Sequence, residues 1–271
     1  MRYPAVAGRF YPGKERELRE EIRKCYLSPL GPGEIPQVAR PGQRRIVGAV
    51  VPHAGYMFSG PIAAHAYASI ARDGFPETFI IIGPNHHAVG SPIALSSEDF
   101  ETPLGVCRLD RDLLRRLERN IVVDPVAHQY EHSIEVQLPF MQFFADDIKI
   151  LPICMALQDY ETAVEIARYL REATKEKDVV IIASTDFSHY VPVHIAKTKD
   201  MAVINQILAL NAKGVYEEVI KRDVSMCGYG PVMVMIEAVG GSNAELLKYG
   251  TSGDVHPMME VVGYAAVTVT K

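Results

Sequence analysis

Three short polar clusters each follow an apolar run of the kind that forms a buried strand. The runs cover residues 46–51, 79–82 and 179–183, and they lead into "PHAGY", "GPNHH" and "STDFSHY". Each cluster therefore places a histidine just past the end of a strand. In open α/β sheets, ligands bind outside the carboxyl ends of the strands, and imidazole and carboxylate groups there can bind a metal or transfer protons. The pattern predicts that the three clusters converge on one site.

The side chains expected at this edge are His53, His86 or His87, and Asp186 with His189. Adjacent residues in an extended turn point in different directions, so only one of His86 and His87 is expected to face the site. Loop histidines and aspartates also commonly cap helices or bond to loop carbonyls, which would explain any single cluster. Three such clusters at three strand ends favour a functional site.

A fourth cluster, "EHSIEVQLPFMQFF" at residues 131–144, has an apolar stripe with helical spacing. On another face of this predicted helix, His132 and Glu135 are spaced i, i+3, which suits a metal site or an acid/base pair. A capping role or a buried hydrogen bond is an equally good interpretation. Pro139 is expected to bend the helix because it removes one helical hydrogen bond.

A fifth cluster, "SMCGYGPVMVMIEAV" at residues 225–239, places Cys227 just before an apolar helix. The partial positive charge at a helix N-terminus lowers the pKa of a thiol and favours the thiolate, which is a good metal ligand. The alternative is a buried cysteine that acts as a small hydrophobic residue.

The elements that would position these residues alternate along the chain. Helices are predicted at 14–26, 61–72, 160–173 and 196–210, and strands at 46–51, 79–82, 148–153, 179–183 and 261–269. Continuous apolar strands separated by helices indicate a sheet that is covered on both faces. We therefore predict a single α/β domain over 1–271, with a largely parallel central sheet and helices on both faces.

Composition narrows the function classes. The 271 residues carry a net charge of -5 with a pI near 6.0, so neither nucleic acid nor an anionic membrane is an expected partner. No apolar stretch approaches the roughly 20 residues of a membrane span, and the N-terminus lacks a signal-peptide pattern, so a cytoplasmic location is expected. The four cysteines are scattered without a C-x-x-C pair, which argues against a disulfide framework or a zinc ribbon.

Six blocks, "AGRFYP", "VPHAGYMFSG", "GPNHH", "EHSIEVQLPF", "STDFSHY" and "CGYGP", occur in the order seen in the MEMO family, which the chain resembles over nearly its whole length. The family is similar in fold to class III extradiol dioxygenases, which implies an α/β core with a vestibule for a non-haem metal. The resemblance places the metal ligands on His53, His86 and Cys227, and the accompanying polar residues on Asp186 and His189.

The resemblance implies a divalent metal, with iron first and copper or zinc as alternatives. The main hypothesis is a metal-dependent redox protein or oxidoreductase of unknown substrate, in which Asp186 and His189 orient ligands or donate protons. The dioxygenases use a carboxylate as third ligand, so a cysteine there argues against ring cleavage. The alternatives are a zinc-type hydrolase, with His189 or His132 moving protons, and a module that binds peptide or phosphopeptide in the vestibule.

Overall fold

The computed structural model describes residues 1–271, which form nine helices and ten strands around one large sheet. The helices are α1 Glu15–Leu27, α2 Tyr56–Asp73, α3 Arg111–Leu117, α4 Leu138–Gln142, α5 Tyr160–Ala173, α6 Val193–Leu208, α7 Ala212–Arg222, α8 Tyr229–Val239 and α9 Ser252–Val255. The strands are β1 Ile46–Val51, β2 Thr78–Pro84, β3 Ile93–Leu95, β4 Phe100–Thr102, β5 Gly105–Leu109, β6 Lys149–Met155, β7 Val179–Ser184, β8 His189–Pro192, β9 Asn243–Thr251 and β10 Glu260–Thr270. Two 3-10 turns lie at Pro125–His128 and Glu135–Gln137.

The sheet is mixed, with the order β4-β5-β6-β2-β7-β1-β10-β8, and β3 and β9 pair with β6 and β10. The five central strands, β5, β6, β2, β7 and β1, are parallel, whereas every other pairing is antiparallel. The predicted α/β class is confirmed, but the parallel part is confined to the centre. The terminal strand β10 is antiparallel because only the short α9 segment separates it from β9, and a parallel crossover needs a dozen residues or more.

Helices cover both faces of the sheet. Neighbouring residues of β1 point to opposite sides, so that Ala49 and Val51 join one apolar core and Val50 joins the other. Helices α1, α2 and α4 contribute to the first core, and α3 and α5 to α8 to the second. None of the helices combines the length and apolar character needed to cross a bilayer.

Helix α2 begins five residues before the predicted start, at Tyr56, and contains Pro61 in its first turns. The backbone N–H of Tyr56 donates to Phe10 O, and the Ser59 hydroxyl donates to Ala54 O. These contacts anchor the first turn, so the helix follows almost directly after the "PHAG" segment.

The prediction of one helix over 131–144 is wrong. The Glu131 carboxylate accepts the backbone N–H groups of His132 at 2.9 Å and Ser133 at 2.8 Å, which holds this part in a tight turn. Helical backbone is restricted to the Glu135–Gln137 turn and α4. Pro139 lies in the first turn of α4, where a missing N–H costs nothing, so it starts a helix rather than bending one.

The order of the strands explains where the polar clusters meet. Strands β2, β7 and β1 are parallel neighbours, so their carboxyl ends share one edge of the sheet. His86, Asp186 and His53 follow directly after these three strands. The structure therefore brings the three clusters to the same edge.

Candidate metal site

His53, His86 and Cys227 each offer one ligand atom at this edge, and these atoms all lie within 4.8 Å of one another. The Nε2 atom of His53 lies 3.2 Å from Cys227 Sγ. The two imidazoles meet edge to face, with ring centroids 5.1 Å apart. Two side chains come from strand ends and the third from the turn before α8, so the group forms only in the folded chain.

A hydrogen-bond network fixes which nitrogen of His53 faces Cys227. His53 Nδ1 lies 2.9 Å from Ser184 Oγ. That hydroxyl donates to Ser133 O at 2.6 Å and accepts from Gln137 Nε2 at 2.8 Å. A hydroxyl has a single proton, and Ser184 donates its proton to Ser133 O. His53 Nδ1 must therefore be the donor to Ser184 Oγ. The Nε2 lone pair is therefore directed at the site.

The protonation state of His53 suits a ligand. The residue is buried, and burial lowers the pKa of His53 well below its ordinary value, with the neighbouring His132 and His86 acting in the same direction. The ring is neutral at pH 7, which is the form that binds metals.

His86 is oriented by a carboxylate. Its Nδ1 atom lies 2.9 Å from Glu131 Oε1, and its backbone N–H donates to Glu131 Oε2 at 2.6 Å. Burial alone would raise the pKa of Glu131, but the hydrogen bond and charge of His86 outweigh burial, and the pKa lies below its ordinary value. The ionised carboxylate accepts the Nδ1 proton, which leaves Nε2 of His86 free. Metal-binding histidines typically have such a partner.

A second group, His86, Glu131 and His132, also has its ligand atoms within 4.8 Å. The Glu131 oxygens, however, already accept from the backbone of three residues and from the His86 ring. A carboxylate so fully occupied is better placed to orient His86 than to bind a metal itself.

Cys227 is held from two sides. Its sulfur accepts the backbone N–H of Asp186 at 3.2 Å, and its carbonyl accepts Gln158 Nε2 at 2.8 Å. The other end of the Gln158 amide accepts the N–H of Gly230 in the first turn of α8, also at 2.8 Å. Gln158 therefore fixes both the turn that carries the sulfur and the helix that follows.

The predicted low pKa of Cys227 is wrong for the metal-free chain. Burial raises the pKa of the thiol, and the charge of Asp186 raises it further, more than the N–H of Asp186 lowers it. The position before α8 therefore does not by itself produce a thiolate. A bound cation would have to displace the proton, as metals do when they bind thiols.

Asp186 and His189, predicted to accompany the ligands, lie beside the site. Asp186 is buried, and its Oδ1 accepts the backbone N–H of His53 at 2.8 Å, so it holds the ligand loop rather than the ligand ring. Burial raises the pKa of Asp186 to about 6. His189 Nδ1 lies 2.7 Å from Ser225 O, and because a carbonyl only accepts, Nδ1 is the donor and His189 Nε2 has no partner.

His132 lies next to the ligands in a cavity. Its ring packs on His86 with centroids 4.5 Å apart and on Phe10 at 4.6 Å. Burial lowers the pKa of His132 to about 4, so the ring is neutral at pH 7. The cavity has a volume of about 400 Å³, and its lining includes His86, His132, Phe10 and Tyr130. This volume suits a small molecule.

The predicted pairing of His132 with Glu135 does not occur, because no helix spans the two residues. Glu135 is fully buried, pairs with Arg2 and accepts the Tyr11 hydroxyl at 2.5 Å. It also accepts the backbone N–H of Ala5 at 2.8 Å. Glu135 therefore holds the N-terminal segment that forms one wall of the cavity.

The family model described as "Memo-like protein" matches residues 2–268. This chain belongs to the Memo-like family. It is 46% identical to a MEMO1 family protein of Methanococcoides burtonii, over 99% of this chain and 100% of that protein. It is also 46% identical to a MEMO1 family protein of Methanopyrus kandleri, over 98% of each chain. The MEMO1 family protein of Methanocaldococcus jannaschii is 44% identical, over 99% of each chain.

Among solved structures, the Memo-like chain is similar to an uncharacterized protein from Escherichia coli K12. The TM-score is 0.55 at 13% sequence identity, and the match covers 83% of this chain and 100% of that one. At this identity the likeness shows a shared fold alone. The predicted similarity to class III dioxygenases stays a prediction.

The remaining histidines of this Memo-like chain lie outside the ligand group. His87 is exposed and also lines the cavity, and its backbone N–H donates to Asn85 Oδ1 at 3.2 Å. His65 Nε2 contacts Leu30 O at 3.0 Å, in keeping with a structural role. Sequence reasoning missed Ser184, Glu131 and Gln158, which orient the ligands. Of these three residues, only Glu131 could have been suspected from the sequence, because it directly precedes His132.

Proposed function

We propose that the chain is a metal-dependent redox protein in which His53, His86 and Cys227 bind a divalent metal, iron first. The observation that carries this proposal is that both imidazoles use Nδ1 for a protein hydrogen bond, while each offers a ligand atom within 4.8 Å of Cys227 Sγ. Side chains prepared in this way reduce the reorganisation needed when a metal binds.

The donor set fits an open metal site. Two imidazoles and one cysteine provide three ligands, which is the number in catalytic sites, whereas closed structural zinc sites have four. Imidazole and thiolate together suit iron, copper and zinc. When bound, such a metal would supply Lewis acidity at the open position and, as iron or copper, redox chemistry.

The surrounding residues have separate roles in this proposal. His189 Nε2 has no hydrogen-bond partner and can exchange a proton with a bound molecule, whereas His132, whose pKa burial lowers to about 4, is a weak base that can hydrogen bond to a molecule in the cavity. Asp186 holds the backbone of His53 and so fixes the ligand loop. The cavity of about 400 Å³ supports a small-molecule partner.

Redox chemistry is favoured over a zinc-type hydrolysis that uses a carboxylate base, because Glu131, the carboxylate nearest to His86, is already occupied. A metal hydrolase commonly uses a free carboxylate as general base. Here Glu131 is occupied by four N–H donors, and Asp186 accepts the backbone N–H of His53. Glu131 therefore cannot take a proton from water without losing contacts that orient His86, and Asp186 cannot do so through Oδ1, the oxygen that holds the ligand loop.

The test is metal reconstitution of anaerobically purified protein with Fe(II), Cu(I) or Zn(II), followed by elemental analysis and EPR. We expect about one metal per chain. His53→Ala and Cys227→Ser should lose it, and the exposed His194→Ala should retain it. Equal metal content in all variants would refute the ligand assignment. A site that binds zinc alone and shows no redox-active signal would refute the redox part.

A further inference from the structure

A second cavity lies between the C-terminal ends of α3 and α5. It has a volume of about 750 Å³ and is lined by four arginines, Arg115, Arg116, Arg119 and Arg168, together with Asn120, Tyr169, Glu172 and Ala173. We call it the arginine groove. Four guanidinium groups around one groove stand out in a chain with a net charge of -5.

The arginine groove is separate from the candidate metal site. Helices α3 and α5 follow the parallel strands β5 and β6 and return along the sheet, so their C-terminal ends lie at its amino edge. Arg116 Nη1 donates to Ala173 O at 3.0 Å, which joins the two helix ends. The ligand histidines lie at the carboxyl edge, about 20 Å away given the rise of roughly 3.3 Å per residue along a strand.

The positive charge of the groove is only partly compensated. Asp112 is shared by Arg115 at 3.5 Å, Arg116 at 3.1 Å and Lys177 at 2.6 Å. Glu172, the acidic residue in the lining, pairs with Lys175 at 2.7 Å. Asp112 therefore pairs with three cations at once, and Glu172 pairs with a lysine rather than with a groove arginine.

Arg119 and Arg168 have no acidic partner at all. The side chain of Arg119 makes no ion pair or hydrogen bond, and Arg168 contacts only the ring of Tyr169, at 4.6 Å. The negative ends of helix dipoles account for Arg115 and Arg116, which lie in the last turn of α3. Arg168 lies more than one turn before the end of α5, so a helix dipole does not account for its position.

We infer that the arginine groove binds a phosphoryl group, either free phosphate or the phosphate of a small ester. The planar guanidinium fork binds phosphate oxygens with two parallel hydrogen bonds, and the charge assists both. Arg119 and Arg168 have their forks free for this contact, and Asn120 offers an amide donor. A dianion would also relieve the repulsion among the four arginines.

The test is calorimetric titration of the full chain with inorganic phosphate, glycerol phosphate and citrate at low salt. We expect saturable phosphate binding that weakens about tenfold or more in Arg119→Gln/Arg168→Gln, because charged hydrogen bonds are lost. Arg40→Gln/Arg45→Gln is the matched control, since it removes two exposed arginines outside the groove. The phosphate affinity of this control should stay within about twofold of that of the unmodified chain. His86→Ala should also bind normally, because it alters only the metal site.

Tighter binding of the ester would identify an organic phosphate as the ligand, and equal binding would identify phosphate itself. Three results would overturn the inference. These are the absence of saturable phosphate binding, citrate binding at least as tight as phosphate, and an equal loss of affinity in the control pair.

Discussion

Ser184 Oγ accepts the Nδ1 proton of His53 at 2.9 Å, and this contact directs Nε2 of His53 toward Cys227. Ser184→Ala leaves that N–H buried without a partner and frees the ring to rotate. We expect metal affinity to fall about 10 to 100-fold, as is typical when a partner of a metal-binding histidine is lost. Metal titration should be compared with Ser96→Ala, which removes another buried hydroxyl, one that accepts the backbone N–H of Glu98 at 3.1 Å. Similar affinities for the two variants would contradict the tautomer argument.

Glu131→Gln tests the partner of His86. The glutamine side chain replaces one carboxylate oxygen of Glu131 with an NH₂ group. That NH₂ group is a donor and would point at an N–H group that the carboxylate oxygen accepts in the unmodified chain. We expect weaker metal binding, again by about 10 to 100-fold. The free energy of unfolding should fall by about 1–3 kcal/mol, measured by denaturant titration of the metal-free chain.

The control for this variant is Glu245→Gln, at an exposed position on β9. This control should change neither the metal affinity nor the free energy of unfolding by much. Unchanged metal affinity in Glu131→Gln would show that His86 is oriented without the carboxylate.

His86→Ala and His87→Ala separate the two adjacent histidines. Only His86 has a ligand atom in the three-residue group, whereas the ring of His87 lies near Tyr130, with centroids 6.4 Å apart. We expect His86→Ala to abolish measurable metal binding and His87→Ala to change it by less than about tenfold. Metal content after dialysis distinguishes the two. A larger loss in His87→Ala would reverse the assignment.

The sequence predicted an element correctly where the local apolar pattern alone determines its bounds. Strand β1 was predicted with its observed bounds because it is a continuous apolar run, and α5 was predicted with its observed bounds because of its helical pattern. The convergence of His53, His86 and Asp186 follows from the parallel order of their strands. The short strands β3, β4 and β8 were not predicted, since three or four residues carry too little pattern.

The partners of the ligands could not be predicted. Ser184 and His53 are far apart in the sequence, and their contact depends on the pairing of β1 with β7. The thiol pKa of Cys227 depends on burial against Asp186, which the local motif does not encode. The groove arginines also escaped notice, because Arg168 joins Arg119 only through the packing of α5 on α3.

Metal binding should release a proton from Cys227. Burial raises the pKa of this thiol, so the metal-free chain holds the proton at pH 7 and must lose it to bind a metal. We expect about one proton released per metal bound in weakly buffered solution, and none from this residue in Cys227→Ser. Alkylation followed by mass spectrometry should also show slow labelling of Cys227 at pH 7 without metal. Release of no proton by the unmodified chain would mean that the sulfur is not a ligand or is already ionised.

His128 should make the free energy of unfolding depend on pH. It is buried, its Nε2 donates to Ala94 O at 3.1 Å, and its Nδ1 has no partner. Burial lowers the pKa of His128 to about 4 from an ordinary value of 6.5. Above pH 6.5 the ring is neutral in both states, so it has no effect on stability there.

As the pH falls below 6.5, His128 binds a proton in the unfolded chain but stays neutral in the folded chain. The free energy of unfolding therefore decreases until about pH 4. The full loss from this residue is about 3 kcal/mol. Denaturant titrations from pH 7.5 to 4.5 should therefore show a shallower decline for His128→Gln than for the unmodified chain. The exposed His194→Gln is the control and should keep the full slope. Parallel pH profiles for His128→Gln and the unmodified chain would show that His128 does not resist protonation in the folded state.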